Sequence, residues 1–329
     1  MSIVFQVDAD ASLEPFTVER ARLADVGAKL VLGNCTTSAE LIDRAGDARV
    51  LWLAWKPAID RAVLEALPRA ELVVRWGVGY DQIDVTAATE LGVAVANAPT
   101  YGTTDVAEHV LALLLAGARN LAWSHEAMRR GEWPGPVRGT HRLRGRTLGL
   151  LGLGRIGTAV ARRAAGFGLT VISYDPVVSA AAMAESGVRA VSLDELLAQS
   201  DYLSLHVPLN ENTRHFMNAD RLARLKPGAA LINASRGKVV EARALLAALA
   251  DGSLSWAALD VYEDEPLPAG SPLRSVPNLV LTPHAAGFSE EAWDDLRAEM
   301  VLTTTQWLTT GWADRVVNRD VRSRLRGTG

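Results

Sequence analysis

Short apolar runs alternate with segments of helical periodicity along the whole chain, the pattern of parallel sheets covered by helices. In the first third, Ile3–Val7, Lys29–Leu32, Arg49–Trp55, Leu72–Arg75 and Val93–Ala96 predict strands, and Arg61–Leu67 and Ile83–Leu91 predict helices between them. These runs recur at roughly 20-residue intervals, the length of a βα unit. A polar, Gly- and Pro-rich stretch from Gly131 to Gly145 precedes a second series. Its strands read Thr147–Leu151, Thr170–Tyr174, Tyr202–His206, Ala229–Asn233, Ala257–Val261 and Leu279–Thr282. Helices fit at Arg155–Phe167, Leu193–Gln199, Ala219–Leu225 and Glu241–Asp251. Such a set of strands with crossover helices meets the needs of a dinucleotide-binding sheet. Thr104–Arg119 carries apolar residues on more than one face, which predicts a helix buried between domains or subunits. Ser289–Thr309 predicts a last helix that returns the chain to its first part. The expected class is α/β.

Length sharpens this picture: 329 residues exceed what a single core usually serves, so two domains are expected. With 49% apolar and 22% charged residues the composition is that of a soluble globular protein. A formal net charge of -4 argues against a general nucleic-acid or membrane-surface binder. Arg319, Arg322, Arg324 and Arg326 gather near the end of the chain, where a solvated terminus accounts for them. Cys35 is the only cysteine, which excludes an intrachain disulfide and a thiolate-rich metal site. Met1 to Asp8 lacks the basic stretch and apolar run of a signal segment. Val110–Ala118 is far shorter than the roughly 20 residues that span a bilayer. A cytoplasmic protein without a metal is the expectation.

The first candidate chemistry lies at Gly152-Leu153-Gly154-Arg155-Ile156-Gly157, which follows one predicted strand and opens a predicted helix. Gly152 permits a tight turn, Gly154 lets the backbone approach a pyrophosphate, and Gly157 lets the helix pack close to the strand. The helix N-terminus then faces the phosphates. The next strand ends in Asp175, where a carboxylate accepts hydrogen bonds from ribose hydroxyls and repels a 2′-phosphate. No arginine follows closely, so NAD is favoured over its phosphorylated form.

Three further strand ends carry polar residues. They are Asn233-Ala234-Ser235-Arg236-Gly237, Asp260-Val261-Tyr262-Glu263-Asp264-Glu265-Pro266 and Thr282-Pro283-His284-Ala285-Ala286-Gly287. Carboxyl ends of strands line the ligand crevice of an open α/β sheet, which directs attention to Arg236, Glu265 and His284. Taken singly, an Arg or Glu is more often a surface ion-pair partner.

With these motifs the chain resembles the D-isomer-specific 2-hydroxyacid dehydrogenase family. The resemblance runs from Arg75-Trp76-Gly77-Val78-Gly79-Tyr80-Asp81 through Gly152–Gly157, Tyr174-Asp175-Pro176 and His206-Val207-Pro208-Leu209 to Thr282–Gly287 and the final helix. Asn97–Thr104 and Glu265-Pro266-Leu267-Pro268 are most similar to the C-terminal-binding-protein branch, which usually has Trp where this chain has Gly287. The resemblance implies two Rossmann-like or flavodoxin-like doubly wound parallel-sheet domains. The substrate domain is expected to be discontinuous, 1–99 with 288–329, and the NAD domain to span 100–287, with closure by hinge motion near the crossings. It also implies an oxidoreductase that interconverts a small D-2-hydroxy acid and its 2-keto acid, of the hydroxypyruvate, glyoxylate or phosphoglycerate type.

In that reading His284 is the general acid and base, an imidazole suited to working pH. Glu265 orients it and favours the imidazolium, and Arg236 grips the substrate carboxylate with its planar fork. Backbone N–H groups of Val78 and Gly79 resemble a second carboxylate contact. Asp260 resembles the residue at the nicotinamide end, and His206 (through its backbone), Pro208, Thr213, Ala234 and Gly287 resemble further cofactor contacts. Arg75, with Lys56, is expected to add positive charge that favours a second anionic group on the substrate; solvated charges at a rim are the plainer alternative. The family's formate dehydrogenases carry an amide where Glu265 stands, which disfavours that activity. A non-catalytic NAD-sensing scaffold is the alternative function, and the complete Arg236–Glu265–His284 set argues for the enzyme. The helix over Thr104–Arg119 resembles a dimer-forming segment, so a homodimer is expected.

Overall fold

The computed structural model describes residues 1–8, 15–133 and 140–326, so part of the Gly131–Gly145 stretch lies outside the described residues. The chain divides into two compact units, Met1–Gly102 with Ser289–Gly329 and Thr103–Phe288.

In the discontinuous unit the strands are β1 (Ser2–Gln6), β2 (Ala28–Leu32), β3 (Ala48–Leu53), β4 (Leu72–Arg75) and β5 (Ala94–Asn97). They form one parallel sheet in the order β2-β1-β3-β4-β5, a flavodoxin-like arrangement. Helices α1 (Thr17–Asp25), α2 (Ser38–Arg44), α3 (Arg61–Ala66) and α4 (Val85–Glu90) connect them, and the C-terminal helix Glu290–Thr310 packs against the same sheet. Alternate residues enter opposite cores: Leu72 and Val74 of β4 join Trp52 and Trp307, whereas Val73 joins Leu51 and Val63. A strand buried on both faces therefore reads as an unbroken apolar run.

Arg319, Arg322 and Arg324 are exposed, as expected of a solvated terminus, but Arg326 departs from that expectation. The Arg326 guanidinium donates to the carbonyls of Leu64 (3.2 Å), Leu67 (3.0 Å) and Leu91, so it closes the unsatisfied ends of α3 and α4. Burial lowers its proton affinity. Arg322 lies over the Trp312 ring at 5.0 Å. Long cationic side chains cover apolar surface and meet helix C-termini, an option that charge counting does not reveal.

The second unit holds β6 (Thr147–Leu151), β7 (Thr170–Tyr174), β8 (Arg189–Ala190), β9 (Tyr202–Leu205), β10 (Ala229–Asn233), β11 (Leu254–Leu259) and β12 (Leu279–Leu281). All are parallel, in the order β12-β11-β10-β9-β6-β7-β8, which is the Rossmann order extended by one strand. The order reverses between β6 and β9, and there the loops after both strands meet. Helices α5 (Thr103–Ala118), α6 (Leu121–Arg129), α7 (Arg155–Ala165), α8 (Ala180–Glu185), α9 (Leu193–Gln199), α10 (Ala219–Leu222) and α11 (Ala242–Ala250) cover the sheet. Leu231 of β10 enters one core with Leu203 and Leu245, and its neighbour Ile232 enters the other with Leu114 and Val160.

Helix α5 packs on α7 and on β10 to β12, which accounts for its apolar residues on several faces. At Gly117 a Cβ would stand 2.3 Å from the buried Trp256 ring. Gly117→Ala is expected to destabilise the protein by about 1–3 kcal/mol through overpacking. Urea unfolding measures this, and an unchanged midpoint would show that the ring can yield.

Candidate active site

The cofactor loop is shaped by contacts between backbones. Gly152 has φ +93°, and a Cβ on it would lie 2.9 Å from the His206 carbonyl oxygen. A Cβ on Gly157 would lie 2.6 Å from the Gly152 carbonyl oxygen. Gly154 caps α7 with no side chain covering the helix N-terminus, and the space where its Cβ would be is open. The first N–H groups of α7 thus face an uncluttered cradle, which fits a pyrophosphate.

Asp175, at the end of β7, accepts the Leu153 N–H at 2.8 Å with one oxygen. Its other oxygen accepts the N–H groups of Val177 (2.8 Å) and Val178 (3.1 Å). The oxygen that accepts only the Leu153 N–H has a lone pair left, so a fixed Asp175 can still take a ribose hydroxyl. Burial pushes the His206 imidazole down to about 4, and its Nε2 sits 2.9 Å from Ser204 Oγ. The ring is neutral at pH 7 and adds no cationic charge to the phosphate loop. Thr213 Oγ1 donates to the Pro208 carbonyl at 2.6 Å, which closes the turn after β9.

Arg236, Glu265 and His284 come together at the ends of β10, β11 and β12. Asn233 knits the first of these loops: its Nδ2 donates to the Arg236 carbonyl at 2.9 Å, and its Oδ1 accepts from the Ser235 N–H and hydroxyl at 3.0 and 2.8 Å. Gly237 then fits against the next loop, where a Cβ would stand 1.8 Å from the Tyr262 carbonyl carbon and 2.5 Å from the Glu263 nitrogen. Only glycine allows that approach.

Glu265 uses both oxygens: Oε1 accepts the Tyr262 N–H at 2.8 Å, and Oε2 lies 2.6 Å from His284 Nδ1. Burial alone would push its carboxyl up. The hydrogen bond and charge of His284, the Tyr262 N–H and the charge of Arg236 outweigh it and hold the carboxyl below its ordinary range.

His284 has φ +55°, a conformation that a residue with a Cβ adopts only when its surroundings impose it. Its N–H donates to the Asp260 carbonyl at 2.7 Å. Asp260 is fully buried and accepts from Thr282 Oγ1 (2.6 Å) and from the N–H groups of Ala285 (2.8 Å) and Ala286 (2.9 Å). Its carboxylate therefore fixes the loop that carries His284. His109 of α5 supports the same corner, 3.1 Å from Thr282 Oγ1. The Tyr262 hydroxyl reaches the Thr282 carbonyl at 2.7 Å; burial and then the Asp260 charge push it up to about 12, so it keeps its proton. Asn233, Gly237 and Tyr262 lie within the polar strand ends that the sequence marks, but their roles as a loop brace, a contact surface and a hydroxyl donor, and the support from His109, are not legible there.

In the discontinuous unit, Arg75 ends β4 and is 4% exposed. Its guanidinium donates to the Trp76 carbonyl and lies 5.4 Å from the centre of the Trp55 ring. Val78 and Tyr80 stand exposed on the following loop, and Asn97 Nδ2 donates to the Val78 carbonyl at 2.6 Å. The Lys56 segment is held by Asp8, which accepts the Ala54 and Lys56 N–H groups at 2.8 and 3.0 Å.

A Rossmann sheet, a phosphate cradle at its switch point and a carboxylate-paired histidine define an NAD-dependent dehydrogenase. A family model described as the NAD binding domain of D-isomer specific 2-hydroxyacid dehydrogenase matches residues 111–286. The glyoxylate reductase of Korarchaeum cryptofilum is 44% identical over 266 residues, 79% of this chain and 80% of that one. The D-3-phosphoglycerate dehydrogenase of Methanocaldococcus jannaschii is 37% identical over 280 residues, 85% of this chain but 53% of the relative. Among solved structures, D-lactate dehydrogenase from Aquifex aeolicus complexed with NAD and lactic acid superposes with TM-score 0.84 at 28% identity, covering 100% of this chain and 99% of that one. The chain belongs to the D-isomer specific 2-hydroxyacid dehydrogenase family. It is an NAD-dependent enzyme that interconverts 2-hydroxy and 2-keto acids. Among the described residues no helix is long and apolar enough to cross a membrane, and none of their side chains form a metal-ligating cluster.

Because the folded chain lowers the Glu265 pKa, ionised Glu265 stabilises the fold above its ordinary value near 4.5. That contribution is lost as pH falls through the lowered value. Glu265→Gln is therefore expected to be less stable than wild type at neutral pH, with the difference closing as pH falls below the ordinary carboxylate range. Denaturant unfolding across that range measures it; a difference independent of pH would contradict the assignment.

Proposed function

We propose that the chain reduces small 2-keto acids, of the glyoxylate and hydroxypyruvate type, to D-2-hydroxy acids with NADH, as a cytoplasmic homodimer. The 2.6 Å pair of His284 Nδ1 and Glu265, with Arg236 locked into the adjoining loop through Gly237, carries this reading.

NADH held by the Gly152–Gly157 loop and Asp175 would supply the hydride that the carbonyl carbon takes up. His284 gives the proton that the developing alkoxide needs, and with Nδ1 committed to Glu265 the donor is Nε2. Glu265 holds the ring and stabilises the imidazolium. Arg236 pairs with the substrate carboxylate and polarises the carbonyl. In the oxidative direction His284 takes the hydroxyl proton.

For the cofactor we assign Gly152, Gly154, Arg155, Ile156 and Gly157 to the pyrophosphate, and Asp175 to the adenosine ribose. His206, Pro208, Thr213, Ala234, Asp260 and Gly287 are assigned to the remaining contacts. In the discontinuous unit, taken as the substrate domain, the Val78 and Gly79 N–H groups are assigned to the substrate carboxylate. Arg75 beneath that loop adds a charge that favours a second anionic group. Leu121, Met128 and Trp133 stand 63%, 50% and 85% exposed on and just after α6, which supports a second copy covering them.

NADH consumption is expected with glyoxylate and hydroxypyruvate, and much less with NADPH because of Asp175. His284→Ala is expected to lower kcat by roughly 10²–10⁴-fold. Tight NADH binding without turnover of any keto acid would overturn the enzyme reading in favour of a dinucleotide-sensing scaffold. Arg75→Ala is expected to slow doubly anionic keto acids more than pyruvate-sized ones, and equal effects would remove its specificity role.

A further inference from the structure

Three loops that follow β9, β10 and β11 are joined to one another beside the Arg236–Glu265–His284 set. The first turns on Asn210, whose side chain accepts the N–H groups of Asn212 and Thr213 at 2.9 and 3.2 Å. His215 leaves this turn with φ +48°, a conformation disfavoured for a residue with a Cβ. Its N–H donates to the Lys238 carbonyl at 2.7 Å, and the Met217 N–H donates to the Val239 carbonyl at 3.0 Å. The Glu241 N–H returns to the Met217 carbonyl at 3.1 Å, so the first two loops are zipped together. The second loop meets the third where Gly237 presses against the Tyr262–Glu263 peptide. His215 Nε2, 2.6 Å from Glu263 Oε1, joins the third loop to the first and closes the triangle.

We propose that His215 and Glu263 form a positioning pair for the catalytic carboxylate Glu265, an inference that rests on the role of Glu265 given above. Glu263 stands two residues before Glu265 in the same turn. Glu265 must meet the Tyr262 N–H and His284 Nδ1 together, and a displacement of about 1 Å breaks a bond as short as the one to His284. Gly237 limits how close the turn can come to the Arg236 loop, but steric contact alone does not stop it from lifting away. The His215–Glu263 bond holds it from the other side. Backbone strain at a residue outside the reacting set persists where several contacts over-determine it, and His215 has such contacts through both its backbone and its ring. Without His215, Glu263 loses its tie to the first loop, and the freedom this gives its turn loosens the grip of Glu265 on His284.

The test compares wild type with His215→Phe, which removes the polar partner, and His215→Gln, which keeps an N–H donor in the place of Nε2. Steady-state rates with glyoxylate and NADH are read with NADH affinity, thermal stability and the NMR titration of the His284 imidazole. His215→Phe is expected to lower kcat roughly tenfold, with KM and NADH affinity changed no more than about twofold. The His284 midpoint should fall as its hold on Glu265 weakens, and His215→Gln should restore most of both losses. A double variant with Glu263→Ala should be no worse than His215→Phe alone.

Wild-type kcat with an unmoved His284 midpoint in His215→Phe overturns the proposal. So does a kcat loss that tracks stability and NADH affinity and is not restored by Gln. If wild type itself reduces no keto acid, the functional reading fails separately, and the His284 midpoint still decides the pair: lowered in His215→Phe it supports the pair, unmoved it overturns it.

Discussion

The site depends on the buried carboxylate of Asp260. Burying a charge without partners is costly, and Asp260 is tolerated because a hydroxyl and two backbone N–H groups of the loop after β12 converge on it. The same bonds compel His284 into a left-handed conformation that its own side chain disfavours. Position of the acid, strain in its backbone and burial of the aspartate are thus one arrangement. An amide at 260 could keep its oxygen toward Thr282 and Ala285, but its NH2 would face the Ala286 N–H, which already donates, and that part of the anchor would be lost.

Around that anchor the loops are fitted by close backbone approach rather than by large side-chain contacts. Gly237 admits the Tyr262–Glu263 peptide, Gly152 admits the His206 carbonyl, and Gly157 admits Gly152. The first two contacts join loops from different strands, so those strands must be placed side by side before the contacts form. The reversal between β6 and β9 opens the cradle, and the succession β10, β11, β12 sets Arg236, Glu265 and His284 side by side. Polar side chains then tune what backbone packing has positioned. The Glu265 carboxyl is held ionised by donors that the neighbouring loops supply, against the burial those loops impose.

Much of this was legible along the chain. Strands buried on both faces print as apolar runs, and Leu72–Arg75, Thr147–Leu151, Thr170–Tyr174 and Ala229–Asn233 have the same bounds in sequence and structure. Short or weakly apolar elements escaped: β8 spans only Arg189–Ala190, and α1 and α8 show little periodic contrast. Helix α2 carried a usable signal in its capping box, Thr37 with Glu40. The tail shows the opposite failure. Arg326 reads as a solvated charge, yet helix carbonyls far away in sequence gave it partners.

By itself, the sequence determined the parallel α/β class, the glycine loop with its following aspartate, and the three polar strand ends. These are local properties, set by periodicity and by residue type next to a strand. Tertiary structure alone decided that Asp260 underpins the His284 loop, that Gly237 is a contact surface, and that His215 meets Glu263. Those facts need strand order, because the partners lie tens of residues apart and meet only through the sheet. The Asp260 bonds, the glycine approach and the strained φ angles appear only once the backbone is placed in three dimensions.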